Sequence, residues 1–162
     1  MPGKPLWKGS RGEWYLVVQG CLFLLLICGP HTWQGMPAWS APYTSIGQSC
    51  GGVLFFTGIL LAAAGSINLG RNLTPLPVPK KQATLVVSGT YSLVRHPIYS
   101  GIVLMAFGWG MWLNSWLTVA YTLLLFLFFD IKSRHEERLL VKKFPEYSAY
   151  RKKVKKLIPY LY

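Results

Sequence analysis

Acidic residues and cysteines are scarce in this chain. Its 162 residues include five Asp and Glu against 17 Lys and Arg, and charged residues make up only 14% of the sequence. Soluble domains carry about 25%, so this composition argues against a soluble fold. The three cysteines form no Cys-x-x-Cys pair and have no histidine at metal-ligand spacing, so we expect no metal site.

Two long stretches lack charge altogether. No Asp, Glu, Lys or Arg occurs in the 57 residues 14–70 or in the 33 residues 97–129. About 20 apolar residues span the hydrocarbon core of a bilayer as a helix, so each stretch can hold two passes. The sequence predicts an all-α integral membrane protein with about four transmembrane helices. Its net charge of +12 then indicates contact with membrane lipids, and we expect no nucleic-acid partner.

Prolines and glycines divide these stretches. Prolines within residues 30–42 break the first one, and Pro97 suits the first turn of a helix. A helix over the whole second stretch would be about 50 Å long, too long for one crossing, so Gly108, Gly110 and the Asn114-Ser115 pair are expected to bend it into a tight hairpin. We predict a single membrane domain over 1–162, with transmembrane helices at 12–30, 46–69, 97–113 and 115–131, a cytoplasmic loop at 70–96 and cytoplasmic C-terminal helices at 132–162.

Basic residues fall on alternate connections of this arrangement. The start of the chain, the loop 70–96 and the tail after Phe129 contain all 17 Lys and Arg. The connections at 29–45 and around Asn114 contain none. The positive-inside rule therefore predicts four crossings with both termini in the cytoplasm. A cleaved signal peptide is the alternative for the first segment, although no small-x-small pattern follows Cys28.

The segment "SGTYSLVRHPIYSG" at 88–101 places an arginine and a histidine directly before a helix-starting proline. Pro97 at the first helical position makes His96 the N-cap. The free backbone N–H groups of a helix N-terminus suit a carboxylate or phosphate. Tyr91 and Tyr99 are expected around this position. The segment therefore predicts an anion-binding wall.

Glu136 and Glu137 form a second polar feature, in a predicted helix over 132–144. Glu136 shares a face with apolar side chains, whereas the exposed ridge of that helix is basic. The ridge comprises Arg134, Arg138 and Lys142. A partly buried carboxylate needs a cationic partner, which is either Arg95 or a cationic group of a ligand. With the anion-binding wall, the pair predicts a zwitterionic ligand at the boundary of water and lipid.

Tyr147 and Tyr150 lie three residues apart after a proline, on one face of a predicted short final helix. Tyrosine is enriched at the level of the lipid headgroups. We therefore interpret the two residues first as headgroup anchors.

"LVVSGTYSLVRHPIYSG", a helical hairpin, "EERLL" and "FPEYSAYRKKV" follow one another over roughly residues 70–159. In that order they resemble the isoprenylcysteine carboxyl methyltransferase family and the wider group of phospholipid methyltransferase-like membrane proteins. The resemblance implies S-adenosylmethionine as methyl donor. It implies cofactor contacts at Ala83, Thr84, Leu85, Val86, Tyr91, His96, Pro97, Ile98, Tyr99, Glu136 and Glu137. It also implies a basic residue on the substrate carboxylate, for which Lys132 and Arg134 are the candidates.

The function expected from this resemblance is methyl transfer to a lipophilic acceptor, with a carboxylate favoured and a prenylated cysteine or a lipid as examples. A carboxylate needs no general base, so no catalytic residue is assigned. One alternative is an NADPH-dependent membrane reductase of the sterol reductase-like group, whose HPNYxGE pattern differs from "HPIYSGI" at Ile98 and Ile102. A non-catalytic membrane protein is the other alternative.

Overall fold

The computed structural model describes residues 12–162. Those residues form α-helices and short 3-10 turns and contain no β-strand, apart from an isolated bridge between Val94 and Lys155. The helices are α1 (Glu13–Cys28), α2 (Tyr43–Leu69), α3 (Pro97–Trp112), α4 (Trp116–Lys143) and α5 (Tyr147–Lys153), with 3-10 turns at Gly70–Asn72 and Gly89–Ser92. The all-helical prediction is confirmed.

Within residues 12–162, two segments are long and apolar enough to cross a membrane, Tyr43–Asn72 and Trp116–Lys143. Helices α1 and α3 have 16 residues each, about 24 Å, which is shorter than a hydrocarbon core of about 30 Å. The four crossings and the cytoplasmic termini stay predictions. The basic start of the chain at 1–11, which supported that orientation, lies outside the described residues.

Helices α2 and α3 lie antiparallel with their backbones in close contact at glycines. A Cβ atom at Gly58 would lie 2.6 Å from the carbonyl oxygen of Gly101, and one at Gly51 would lie 2.7 Å from that of Gly108. Larger residues at these positions would force the helices apart. Small residues allow such close packing in membranes, so these glycines set the distance between α2 and α3.

The hairpin between α3 and α4 turns at residues 113–115. Asn114 adopts a left-handed conformation with φ of 51°, which asparagine tolerates better than most residues. Ser115 caps α4, because its hydroxyl oxygen accepts a hydrogen bond of 3.0 Å from the backbone N–H of Thr118. The predicted bend at Gly108 and Gly110 is wrong, since α3 runs through both. The Asn114-Ser115 prediction is confirmed.

Helix α4 continues without a break through Asp130 to Lys143, 28 residues in all. Residue 131 was predicted as the end of a membrane crossing, and the helix itself continues past it, as the sequence indicated. At 1.5 Å per residue, α4 is about 42 Å long, which is longer than a hydrocarbon core of about 30 Å. Helix α1 packs along it, with the rings of Tyr15 and His135 stacked 5.5 Å apart.

Two asparagines, Asn68 in the last turn of α2 and Asn72 in the 3-10 turn that follows it, hold the loop 70–96 in place. The side-chain oxygen of Asn68 accepts hydrogen bonds from the backbone N–H (2.8 Å) and hydroxyl (2.9 Å) of Thr90. The Asn72 amide donates to the carbonyl oxygen of Thr84 at 3.1 Å, and its oxygen accepts from the Thr84 N–H at 3.2 Å. The loop is thereby fixed over the start of α3.

The segment after α5 returns to the same place. The backbone N–H groups of Arg95 and His96 donate to the carbonyl oxygens of Lys155 (2.8 Å) and Lys156 (3.1 Å). The ammonium of Lys156 is buried and forms a 2.5 Å ion pair with Asp130 of α4. The C-terminal segment thus links the start of α3 to the middle of α4.

Candidate functional site

A cavity of about 360 Å³ lies where the loop 70–96, the start of α3 and the C-terminal half of α4 meet. Its volume falls in the range of about 300–1,000 Å³ that is typical of small-molecule sites. The residues predicted to contact the cofactor that line it are Ala83, Thr84, Leu85, Val86, Tyr91, His96, Ile98, Tyr99 and Glu136. The structure therefore brings together nearly all of the predicted set.

The two adjacent glutamates have different surroundings. Glu137 lies behind the cavity wall, where its carboxylate accepts a 2.8 Å hydrogen bond from Arg95 Nε and lies 3.1 Å from His96 Nε2. The Arg95 and Glu137 side chains are 10% and 7% exposed. Arg95 also donates from Nη1 to the carbonyl oxygens of Arg151 and Val154 at the end of α5. The Arg95 interpretation is confirmed for Glu137.

Glu136 lines the cavity instead. It accepts a hydrogen bond from the hydroxyl of Tyr99, and His96 Nδ1 lies 3.7 Å from its carboxylate. In residues 12–162 no Lys or Arg forms an ion pair with Glu136 within 4.0 Å. Its carboxyl group therefore faces the cavity, where a cationic ligand group would be its partner.

Lys132 and Arg134 point in different directions. The Lys132 ammonium is buried at the cavity, where it donates to the Gln19 side chain at 2.8 Å and to the Pro75 carbonyl at 3.2 Å. It lies 5.2 Å from the centre of the Tyr99 ring. Arg134 is 62% exposed and pairs with Asp130. Residues two positions apart on a helix point in directions about 200° apart around its axis. Arg134 therefore lies away from the cavity, and of the two candidates only Lys132 lines it.

Three sequence expectations about this region require correction. Pro97 does not line the cavity, since it packs against Gly65 of α2. Glu137 does not line it either, because Arg95 and His96 hold it behind the wall. The N–H groups of Arg95 and His96 bind carbonyls of the C-terminal segment, so the N-cap amide of His96 is not free for an anion as predicted.

Besides Tyr99, three tyrosines line the cavity, namely Tyr91, Tyr147 and Tyr150. The hydroxyl of Tyr150 donates to the carbonyl of Tyr91 at 2.5 Å. Burial raises the pKa of Tyr91 and Tyr147 well above the usual tyrosine range, and that of Tyr150 to about 12. These phenols are neutral at physiological pH. The headgroup-anchor interpretation is wrong, because Tyr147 is 2% exposed and both Tyr147 and Tyr150 line the cavity.

Several lining residues were not found from the sequence. Gln19 is one of them. It is the only amide side chain in the apolar α1, and a polar residue in such a helix could have indicated a functional position. Asn72 and the prolines of the loop gave no comparable signal. Leu140 of α4 and Phe144, the residue that follows α4, also line the cavity, on the apolar face that the predicted helix shares with Glu136.

The fold and cavity define a helical membrane protein with a ligand-sized site beside its membrane-capable helices. A sequence model of the family described as "Phospholipid methyltransferase" matches residues 46–147. That match covers more than half of the chain, which therefore belongs to the phospholipid methyltransferase family.

Individual relatives resemble this chain over only part of their own length. The cobalt-zinc-cadmium resistance protein CzcN of Cupriavidus metallidurans is 32% identical over 151 residues, 93% of this chain and 63% of that protein. The protein-S-isoprenylcysteine O-methyltransferase of Schizosaccharomyces pombe is 35% identical over 106 residues, 63% of this chain and 45% of that protein. The chain thus spans about half to two thirds of these relatives.

A solved structure shares the fold. It is that of the eukaryotic intramembrane Ras methyltransferase ICMT, with a TM-score of 0.65 and 22% identity, covering 95% of this chain and 54% of that one. Within residues 12–162, no group of three or more His, Cys, Asp or Glu side chains could hold a metal ion. The metals in the name of CzcN therefore have no evident ligand set in this part of the chain.

Proposed function

We propose that this protein is an integral membrane methyltransferase that uses S-adenosylmethionine and is similar in action to isoprenylcysteine carboxyl methyltransferases. The main support is geometric. Residues that the family resemblance assigns to the cofactor, from three separate parts of the chain, line one cavity of about 360 Å³. Family membership and the name of the Schizosaccharomyces pombe relative agree with this activity.

The charges of the cavity suit this cofactor, which carries an α-carboxylate, an α-amine and a sulfonium. Glu136 offers a carboxylate with no Lys or Arg in an ion pair within the described residues, which suits a cationic group. Lys132 offers a buried cation, which suits a carboxylate of either the cofactor or the acceptor. The hydroxyl of Tyr147 is buried and has no hydrogen-bond partner within 3.5 Å in residues 12–162, so a polar ligand would satisfy it.

The chemistry asks little of the protein beyond positioning. When bound, the cofactor would supply an electrophilic methyl group on a sulfonium, which would transfer to the acceptor oxygen and leave a neutral thioether. The surrounding side chains orient the reactants and exclude water. A carboxylate acceptor has no proton to lose, so His96 acts through position, held between Glu136 and Glu137.

A lipophilic acceptor fits the surroundings of the cavity. Ile98 and Ile102 of α3 form part of its wall, and α3 continues from them as an apolar helix. We propose that the acceptor enters from the bilayer and carries a carboxylate, as a prenylated cysteine does. The same two residues weigh against the reductase alternative, because apolar side chains occupy the Asn and Glu positions of its pattern.

Transfer of a radiolabelled methyl group tests this proposal. Purified protein is given labelled S-adenosylmethionine with a prenylated cysteine, a phospholipid amine or a small water-soluble thiol. We expect label on the prenylated cysteine. Label on the thiol alone would contradict the lipophilic acceptor, and binding of NADPH without binding of S-adenosylmethionine would contradict the methyltransferase proposal itself.

A further inference from the structure

A second concave site lies on the other side of the Arg95–Glu137 ion pair. It is a groove of about 410 Å³ between α4, α5 and the C-terminal segment. Among the described residues, Arg95 alone lines both this groove and the cavity. The groove is therefore separate from the proposed cofactor site, and its function does not follow from that of the cavity.

The groove is strongly basic. Its basic lining residues are Arg95, Arg134, Arg151, Lys152, Lys155 and Lys156, and its one acidic lining residue in the described part of the chain is Glu137. Glu137 is neutralised by Arg95, and Asp130 nearby pairs with Lys156 and Arg134. Arg151, Lys152 and Lys155 are exposed and form no ion pair within the described residues. The groove therefore has an excess of positive charge that suits an anionic group.

An exposed apolar stripe of α4 leads directly to the groove. Leu124, Leu127 and Ile131 are 48%, 49% and 58% exposed, and steps of three and four residues place them on one helix face. The next residue on that face is Arg134, whose side chain is 62% exposed. A surface that is apolar along the helix and basic at its end is complementary to a molecule with acyl chains and a negatively charged head.

The groove also lies at a depth suited to a lipid headgroup. Trp116 at the start of α4 is 48% exposed, and tryptophan is enriched at membrane interfaces. Arg134 lies about 27 Å along the helix from it, close to the hydrocarbon thickness of about 30 Å. If Trp116 marks one interface, Arg134 lies at the opposite one.

We propose that this groove binds an anionic phospholipid, with its phosphate among Arg134, Arg151, Lys152 and Lys155 and an acyl chain along Leu124, Leu127 and Ile131. Each basic side chain near a membrane surface strengthens the binding of anionic lipid several-fold. The apolar stripe distinguishes this occupant from a soluble anion, which would use the basic residues alone.

The test uses the full chain, delipidated in detergent, with dioleoyl phosphatidylglycerol as probe and dioleoyl phosphatidylcholine as the uncharged-head comparison. Native mass spectrometry measures the bound lipid. We expect tighter binding of phosphatidylglycerol to the unsubstituted protein, and at least about tenfold weaker binding to the double variant Arg151→Ala/Lys152→Ala. The matched control Arg138→Ala/Lys142→Ala removes the same charge from exposed positions of α4 outside the groove and should change binding less than about threefold.

Two results would overturn the proposal. One is equal loss in both double variants, which would indicate attraction by net charge alone. The other is displacement of phosphatidylglycerol by millimolar inorganic phosphate, which would indicate an adventitious anion site. The single variant Lys152→Glu reverses one exposed charge without removing a buried contact, so weaker binding there supports the groove even if the double variant folds poorly. None of these outcomes depends on methyl transfer.

Discussion

The two adjacent glutamates allow one chemical change to be made in two surroundings. Glu137→Gln and Glu136→Gln both replace a carboxylate by an amide of nearly the same size. Glu137 is paired with Arg95, whose side chain is only 10% exposed, so its replacement leaves a buried guanidinium with no anionic partner. Loss of one partner of a buried ion pair costs about 3–5 kcal/mol, and retention of the amide hydrogen bonds favours the lower end.

A loss of about 3 kcal/mol corresponds to a midpoint of thermal unfolding lower by about 6–12 °C for a chain of this size. Glu136 has no Lys or Arg partner within 4.0 Å in residues 12–162, and its amide could still accept from Tyr99. We therefore expect Glu136→Gln to change the midpoint by less than about 2 °C, since no Lys or Arg within 4.0 Å loses an ion-pair partner. The measurement is fluorescence-detected size-exclusion chromatography after heating in detergent.

The reasoning is refuted if the two variants lose the same stability, or if Glu136→Gln is the less stable. Either result would mean that Glu136, not Glu137, holds the start of α3 to α4. The comparison needs no ligand, and its outcome therefore tests the division of roles between the glutamates independently of the proposed activity.

Three further predictions concern other parts of the structure. Gly58→Leu should abolish the folded, monodisperse protein in size-exclusion chromatography, because its Cβ alone would lie 2.6 Å from a carbonyl oxygen of α3; normal elution would contradict the close packing. Ser115→Ala should cost about 1 kcal/mol through loss of the α4 cap, seen as a lower thermal midpoint, and an unchanged midpoint would argue against that cap. Lys132→Met should raise the KM for a carboxylate acceptor in the methyl-transfer assay, whereas Arg134→Gln should leave it unchanged; equal effects would contradict the placement of Lys132 at the cavity.

Local signals in the sequence predicted the start of α3 and the turn before α4. Proline lacks an N–H and has a fixed φ, so Pro97 at the first helical position makes His96 the N-cap in most contexts. Asn114 tolerates a left-handed conformation and Ser115 caps a helix, and both effects act within a few residues. The predicted bend at Gly108 was wrong. A glycine in an apolar helix can mark either a bend or a close contact with another helix, and here the contact with α2 decides.

Long-range contacts explain what the sequence did not reveal. Helical periodicity placed the two glutamates near one face, but only the contact with Arg95, 42 residues away, decides which of them faces the cavity. The amides of Arg95 and His96 are bound by a segment about 60 residues further on. Gln19 reaches the cavity only because α1 packs against α4. No local pattern contains this information.

The most direct test of the proposed cofactor site is titration calorimetry with S-adenosylhomocysteine, the product of the cofactor. We expect one saturable site per chain in the unsubstituted protein. Binding should be about 10- to 100-fold weaker in Glu136→Gln and His96→Ala. It should be unchanged in Arg138→Ala, which lies on the exposed ridge. The factor follows from loss of a hydrogen bond to a charged group, about 1.5–3 kcal/mol. Equal affinities in all four proteins, or no binding to the unsubstituted one, would contradict the assignment of the cavity.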